Sequence, residues 1–94
     1  GGDPMLQAGA LCALARRIKE ECGKTIWCYT GYLFENLLTR PDTRELLAYI
    51  DVLVDGPFIL AERDLSLRFR GSRNQRLIDV RRSISGKQTV EFQL

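Results

Sequence analysis

The sequence predicts an α/β domain built from parallel β/α units. Two compact apolar segments, residues 25–30 and 49–55, are bounded by glycine or proline and are separated by helical patterns. Because more than ten residues connect them, we expect two parallel strands with a crossover rather than a hairpin. With 94 residues, of which 45% are hydrophobic and 28% charged, the chain corresponds to one globular domain or part of one.

An amphipathic helix is predicted over about residues 7–22, ending at Gly23. Its buried face is predicted from apolar residues that recur at steps of three and four: Leu11, Leu14, Ile18 and Cys22. Cys12 is therefore expected to be more exposed than Cys22. Two shorter helices are predicted over residues 32–38 and 42–48, between the two strands.

The C-terminal part of the chain is predicted to add two more strands. A short helix over 58–62 and a polar, arginine-rich loop over 64–75 precede a strand candidate at 76–80. Residues 85–87 form a predicted turn, and residues 88–94 alternate apolar and polar side chains. This pattern predicts a C-terminal hairpin between 76–80 and 88–94.

Charge is distributed unevenly along the chain. Residues 1–62 carry a net charge of −3 and residues 63–94 a net charge of +5. The basic half favours an anionic partner, although a solvated charged surface would have the same composition. No apolar run is long enough for a membrane helix and no signal peptide is visible, so we expect a cytoplasmic protein without a membrane partner.

Three loops follow strand ends or begin a helix, where α/β folds bind ligands. They are Gly1–Pro4, which follows a strand only if one precedes it, Tyr29–Tyr32 after the first strand and Asp55–Phe58 after the second. The glycines allow close backbone approach to a ligand, and the carboxylate of Asp3 can accept hydrogen bonds from an ammonium group. A carboxylate at a strand end, such as Asp55, also favours a role in a site.

The residue types exclude several chemistries. The chain has no histidine, so Ser–His and Cys–His nucleophile pairs are excluded. Its three cysteines have spacings of ten and six, which match neither a zinc site nor a redox Cys-x-x-Cys pair. No P-loop or Rossmann fingerprint is present. We therefore expect free thiols and no metal site within this chain.

Four segments, taken in order, resemble the activating proteins of anaerobic ribonucleoside-triphosphate reductase, a family of radical S-adenosylmethionine (SAM) enzymes. The resemblance covers essentially the whole chain. The segments are Gly1-Gly2-Asp3-Pro4, residues 24–32 (KTIWCYTGY), residues 50–58 (IDVLVDGPF) and residues 70–76 (RGSRNQR).

The resemblance implies a partial radical-SAM barrel, of which this chain forms the C-terminal part. It implies SAM and a [4Fe-4S] cluster on a Cys-x-x-x-Cys-x-x-Cys motif as cofactors, and the anaerobic reductase as partner. In such enzymes, SAM cleavage gives a 5′-deoxyadenosyl radical that removes a hydrogen atom from a glycine of the reductase. The implied SAM site comprises Gly1, Gly2, Asp3, Tyr29, Thr30, Gly31 and Asp55, and the implied substrate or partner side Arg70, Asn74 and Gln75.

The cysteine motif of the family is absent from this chain. We therefore expect residues 1–94 to be a single, incomplete radical SAM domain that binds neither cluster nor SAM on its own and is inactive, although its parent protein is an oxidoreductase. A strand that precedes Gly1 in the family would be missing. The exposed sheet edge is expected to lead to self-association.

Two other functions remain open from the sequence. The basic half would suit a small module that binds nucleic acid or phosphate, but only one aromatic residue, Phe69, lies among the arginines of the loop, and no named nucleic-acid module fits. Nucleic acid is therefore not the expected partner. The other possibility is a domain that docks the reductase without chemistry of its own.

Overall fold

The structure, a computed structural model, describes residues 2–93. Within this range the helices are α1 (Ala8–Glu21), α2 (Phe34–Leu37), α3 (Pro41–Leu47) and α4 (Val80–Gly86), and the strands are β1 (Trp27–Tyr29), β2 (Val52–Asp55) and β3 (Arg76–Asp79). Two 3-10 helices, Pro4–Gln7 and Leu60–Glu62, precede α1 and follow β2. The helices and strands predicted over the first 55 residues are confirmed, with bounds that differ by up to three residues.

The three strands form one mixed sheet in the order β1-β2-β3. β1 and β2 are parallel, as predicted, with Cys28 opposite Leu53. β3 is antiparallel to β2, with Leu53 opposite Ile78, because residues 56–75 form no crossover helix and the chain simply turns back. The chain is thus a mixed α/β domain; residues 2–93 show an open sheet, and the partial barrel remains an expectation.

The predicted C-terminal hairpin is wrong, because helix α4 directly follows β3. The Asp79 carboxylate caps this helix by accepting a hydrogen bond from the Arg82 backbone N–H at 3.0 Å. Lys87, with a φ of 56°, ends it in the left-handed conformation. The chain then returns beside β3, where Glu91 forms a single antiparallel bridge with Ile78. The last residue of the predicted strand, Leu94, lies outside the described residues.

The two faces of the sheet are covered differently. Cys28, Leu53 and Ile78 belong to the buried core that the helices complete. On the opposite face, the indole of Trp27 packs against two aromatic rings from later segments, with centroid distances of 5.0 Å to Phe69 and 5.5 Å to Phe92. The segments after β2 and after α4 therefore cover the face that the helices leave open.

The predicted buried face of α1 is wrong. The helix packs against α3 through a stripe of small residues, Ala8, Cys12 and Ala15, all buried. Leu14 is 52% exposed and Cys22 is exposed, which reverses the expected exposure of the two cysteines. Small side chains permit a short distance between helix axes. Close packing against α3 therefore favours alanine and cysteine on this face of α1.

The larger apolar side chains of α1 border a groove beside β1. Leu11, Leu14 and Ile18 line one side of it, and Ile26 and Tyr29 the other. β1 is the edge strand of the sheet and pairs only with β2 among residues 2–93. The exposed strand edge expected from the sequence is therefore present and adjoins an apolar surface.

None of the helices within residues 2–93 combines the length and the apolar character needed to cross a membrane.

Candidate functional site

A concave surface of about 390 Å³ lies where β1 and β2 end. We call this surface the rim. Five residues that the sequence analysis assigned to the SAM site form most of it, together with four that it did not assign to that site. Its lining residues are Gly2, Asp3, Pro4, Tyr29, Thr30, Gly31, Gly56, Phe58 and Gln75. Gly1, also assigned to the SAM site, lies outside the described residues.

The carboxylate of Asp3 connects the two ends of the rim. Its Oδ1 accepts a hydrogen bond from the Met5 backbone N–H at 3.0 Å, which caps the 3-10 helix that leads into α1. Its Oδ2 accepts one from the Gly31 N–H at 2.7 Å. The Thr30 hydroxyl lies 2.9 Å from both oxygens. A single side chain therefore fixes the start of α1 against the end of β1.

Gly56 and Phe58 complete the rim from the β2 side. Gly56 has a φ of 95°, which a residue with a side chain rarely adopts, and its N–H donates to the Tyr32 carbonyl at 3.1 Å. This bond joins the loops that follow the two parallel strands. The sequence analysis placed both residues in a strand-end loop; the loop's position was therefore predictable, but the contribution of these two residues was not.

Asp55 does not line the rim. It is fully buried beneath the loop, and both of its oxygens are engaged. The Arg76 guanidinium donates from Nε to Oδ1 at 2.9 Å and from Nη2 to Oδ2 at 2.5 Å, and the Phe34 N–H donates to Oδ2 at 2.8 Å. In this structure the carboxylate joins β2, β3 and α2, and it presents no oxygen to a ligand at the rim.

Arg76 extends this buried pair to the surface. Its guanidinium also binds Glu35 in a bidentate arrangement, with nitrogen–oxygen distances of 3.0 and 2.7 Å. The Thr89 hydroxyl donates to the same carboxylate at 2.9 Å. The hydrogen bonds from Arg76 lower the pKa of Glu35 from 4.5 to about 2. No local sequence pattern indicated this network, because its members come from four distant segments.

The three residues assigned to the substrate or partner side hold their own loop together. Arg70 donates to the Gln75 carbonyl at 2.7 Å, and Asn74 donates to the Pro57 carbonyl at 2.8 Å. The Gln75 amide donates to the Gly56 carbonyl at 3.0 Å and accepts from the Gly71 N–H at 2.9 Å. Gln75 alone of the three reaches the rim.

The described residues do not fit a [4Fe-4S] cluster. Within residues 2–93, no three His, Cys, Asp or Glu side chains are grouped closely enough to hold a metal ion. Burial, with a smaller effect of the nearby Asp3 carboxylate, raises the pKa of the Cys28 thiol to about 11, which disfavours the thiolate that binds iron. Cys12 is buried as well, and Cys22 lies exposed at the end of α1.

Comparison with known protein families identifies the class of this domain. Residues 1–78 match the family described as "4Fe-4S single cluster domain", and the chain belongs to this family. The match indicates an iron–sulfur cofactor for the family, whereas the three cysteines of this chain provide no site for it. No solved structure shows a significant match to the chain.

Curated relatives carry a more specific name, anaerobic ribonucleoside-triphosphate reductase-activating protein. The relative from Vibrio cholerae is 49% identical over 78 residues, and that from Haemophilus influenzae 46% over the same length, each match covering 80% of this chain. A relative from Enterobacteria phage T4 is 43% identical over 56 residues, covering 57% of this chain and 31% of its own length. The chain spans about half the length, 49%, of the two bacterial relatives. The family resemblance inferred from the sequence is confirmed.

Proposed function

We propose that this chain supplies the SAM-binding rim of a radical SAM enzyme that activates anaerobic ribonucleoside-triphosphate reductase by forming a glycyl radical on it. Support comes from the activating proteins that match the chain and from the strand-end position of the rim. The cluster that provides the electron for SAM cleavage would be bound by residues other than 2–93. The role left to this chain is to bind and orient the cofactor.

The charge of the rim is the observation that carries this proposal. Among its described lining residues, Asp3 is the only one with a charged side chain at neutral pH. A carboxylate without neighbouring lysine or arginine attracts a cationic ligand and repels phosphate groups. SAM, with its ammonium and sulfonium groups, fits this pattern, and a nucleoside triphosphate does not.

The surroundings of Asp3 suit an orienting role. Its carboxylate is fixed by Met5, Thr30 and Gly31, so little entropy would be lost when it receives an ammonium group. A carboxylate offers about four acceptor positions, and one remains after these three donors. The exposed rings of Tyr29 and Phe58 provide apolar surface beside it for the uncharged parts of the ligand.

A chimeric enzyme tests this proposal. In the Vibrio cholerae relative, the matching 78-residue segment would be replaced by that of this chain. With reduced cluster, SAM and the Vibrio cholerae anaerobic reductase, we expect release of 5′-deoxyadenosine and a glycyl-radical doublet in the electron paramagnetic resonance spectrum. A chimera that folds and carries its cluster but cleaves no SAM would contradict the proposal.

Two variants of the chimera test whether the rim, rather than another part of the chain, binds SAM. Asp3→Asn removes the charge and should weaken SAM binding at least tenfold by isothermal titration, because the ammonium loses a charged partner. Asp42→Asn changes an exposed carboxylate at the start of α3 and serves as the matched control. It should bind SAM as the unchanged chimera does.

A further inference from the structure

Only Gly56, Phe58 and Gln75 of the connection between β2 and β3 line the rim. We call residues 56–75 the basic arm. It is ordered by its own backbone: Arg63 forms an antiparallel bridge with Ser72, and the Arg73 N–H donates to the Glu62 carbonyl at 3.0 Å. The side chains of Asn74 and Gln75 fix its base to Pro57 and Gly56. The arm is therefore preorganised.

The arm presents apolar side chains to solvent. Leu60 is 71% exposed and Leu65 88%, and Leu65 lies next to a turn in which the Ser66 N–H donates to Asp64 Oδ1 at 2.9 Å. Single exposed leucines are ordinary on protein surfaces. Here two of them lie on one loop that also carries exposed arginines, a combination that suits a docking surface.

The same arm carries exposed arginines that form no salt bridge within the described part of the chain, together with the carboxylates of Glu62 and Asp64. Arg63, Arg68 and Arg73 are exposed, and none of them forms a salt bridge with any of residues 2–93. Arg68 lies over the ring of Phe69, 5.5 Å from its centroid. By contrast, Arg76, Arg81 and Arg82, which follow the arm, each contact a carboxylate. The arginines of residues 63–93 that form no salt bridge with the described residues thus all lie on the arm.

We propose that the basic arm docks an acidic protein surface with pockets for Leu60 and Leu65. Resting on the proposed function, we assign this surface to the anaerobic reductase. Arginine is enriched at the energetically important positions of protein interfaces, and complementary charge accelerates encounter. The two leucines favour a protein over nucleic acid, because aliphatic side chains do not stack on bases. Of the two aromatic residues of the arm, Phe69 packs against Trp27 and Phe58 lines the rim.

Charge reversal on the arm tests the docking surface. The triple variant Arg63→Glu, Arg68→Glu and Arg73→Glu would be compared with the unchanged chain for binding to purified Vibrio cholerae anaerobic reductase by biolayer interferometry. The matched control, Arg17→Glu, Arg40→Glu and Arg44→Glu, changes the net charge equally on exposed residues of α1, α3 and the segment before α3. We expect at least a tenfold loss of affinity, mostly in the association rate, for the arm variant and less than a twofold loss for the control.

A second variant tests the apolar contribution without changing charge. Leu60→Ser with Leu65→Ser should weaken binding about tenfold through faster dissociation, and circular dichroism should show an unchanged fold because both side chains are exposed. Raising the salt concentration should weaken binding of the unchanged chain but not further weaken the arginine variant.

Several outcomes would overturn the assignment. Equal binding by the arginine variant and its control would remove the arm from the interface while leaving the proposed function intact, because 5′-deoxyadenosine release by the chimera measures SAM cleavage, in which these three arginines have no proposed role. Absence of binding by the unchanged chain would also overturn it. Binding of a single-stranded oligonucleotide that the arginine variant abolishes, without binding to the reductase, would show a nucleic-acid surface instead.

Discussion

Asp3, which caps the first 3-10 helix, and Asp55, the last residue of β2, lie at the same end of the sheet but differ in their partners. Asp3 is half-buried and is held by neutral donors, the Thr30 hydroxyl and the N–H groups of Met5 and Gly31. Asp55 is fully buried and is paired with the Arg76 guanidinium. The sequence analysis assigned both to one cofactor site.

This difference in partners gives the two carboxylates different roles, one in ligand recognition and the other in stability. A carboxylate held by neutral donors keeps its negative charge and can attract a cation, whereas the charge of Asp55 is neutralised by its own chain. Breaking a buried ion pair leaves one charge without compensation in a poorly solvated place. We therefore expect Asp3 to affect ligand affinity and Asp55 to affect folding.

Asp55→Asn should have the largest effect on stability. It removes the charge that neutralises Arg76 and places an amide donor against the guanidinium, so the free energy of unfolding should fall by about 3 kcal/mol. Urea unfolding followed by tryptophan fluorescence measures this change. Asp42→Asn, at an exposed carboxylate, is the control and should leave the unfolding midpoint where it is. Equal midpoints for both variants would show that the buried pair does not stabilise the fold.

Asp3→Ala should cost less stability, about 1 kcal/mol, which is typical for a helix cap. Its effect on the rim should be larger than its effect on folding: in the chimera, SAM affinity should fall at least tenfold while the unfolding midpoint shifts little. A variant that loses stability as Asp55→Asn does, with unchanged SAM affinity, would reverse the comparison.

Glu35→Gln should have the smallest effect on stability at neutral pH, and this effect should disappear in acid. The pKa of Glu35 is about 2 in the folded chain, compared with an ordinary value of 4.5. A carboxyl with a lowered folded-state pKa contributes stability above its unfolded pKa and loses it as the pH falls through the folded pKa. The stability difference between the unchanged chain and Glu35→Gln should therefore be constant above pH 4.5 and vanish towards pH 2. Urea midpoints at a series of pH values measure it, and a difference that persists at pH 2 would refute the role of this pair.

Local patterns were sufficient to predict β1 and β2, whereas the grouping of Asp3 with Thr30 and Gly31 in one site followed from the family resemblance. The strands follow from compact apolar runs, and the carboxyl ends of parallel strands necessarily lie at one edge of the sheet. The Asp55–Arg76 pair could not be predicted in this way. These residues are direct partners only because β3 runs antiparallel to β2 in one particular register, and no local pattern specifies that register.

Helices α1 and α4 show a second limit. In α1, the size of the side chains misled the prediction, because contact with α3 favours alanine and cysteine over leucine. In α4, only Val80 and Ser83 are buried, which is too few to produce a helical period. Both cases depend on which neighbour the helix meets, and the sequence specifies that neighbour only through the whole fold.

The apolar groove beside β1 is the surface through which we expect self-association. Self-association through this edge, expected from the sequence, remains a prediction. If two copies cover the groove, mass action should raise the thermal unfolding midpoint as the protein concentration increases. Leu14→Glu, which places a charge in the groove, should abolish that increase, whereas Leu65→Glu on the basic arm should preserve it. Calorimetry over a hundredfold range of protein concentration measures these midpoints. A thermal unfolding midpoint that does not depend on concentration in the unchanged chain would refute self-association. A dilute sample would then unfold at a lower temperature than a concentrated one.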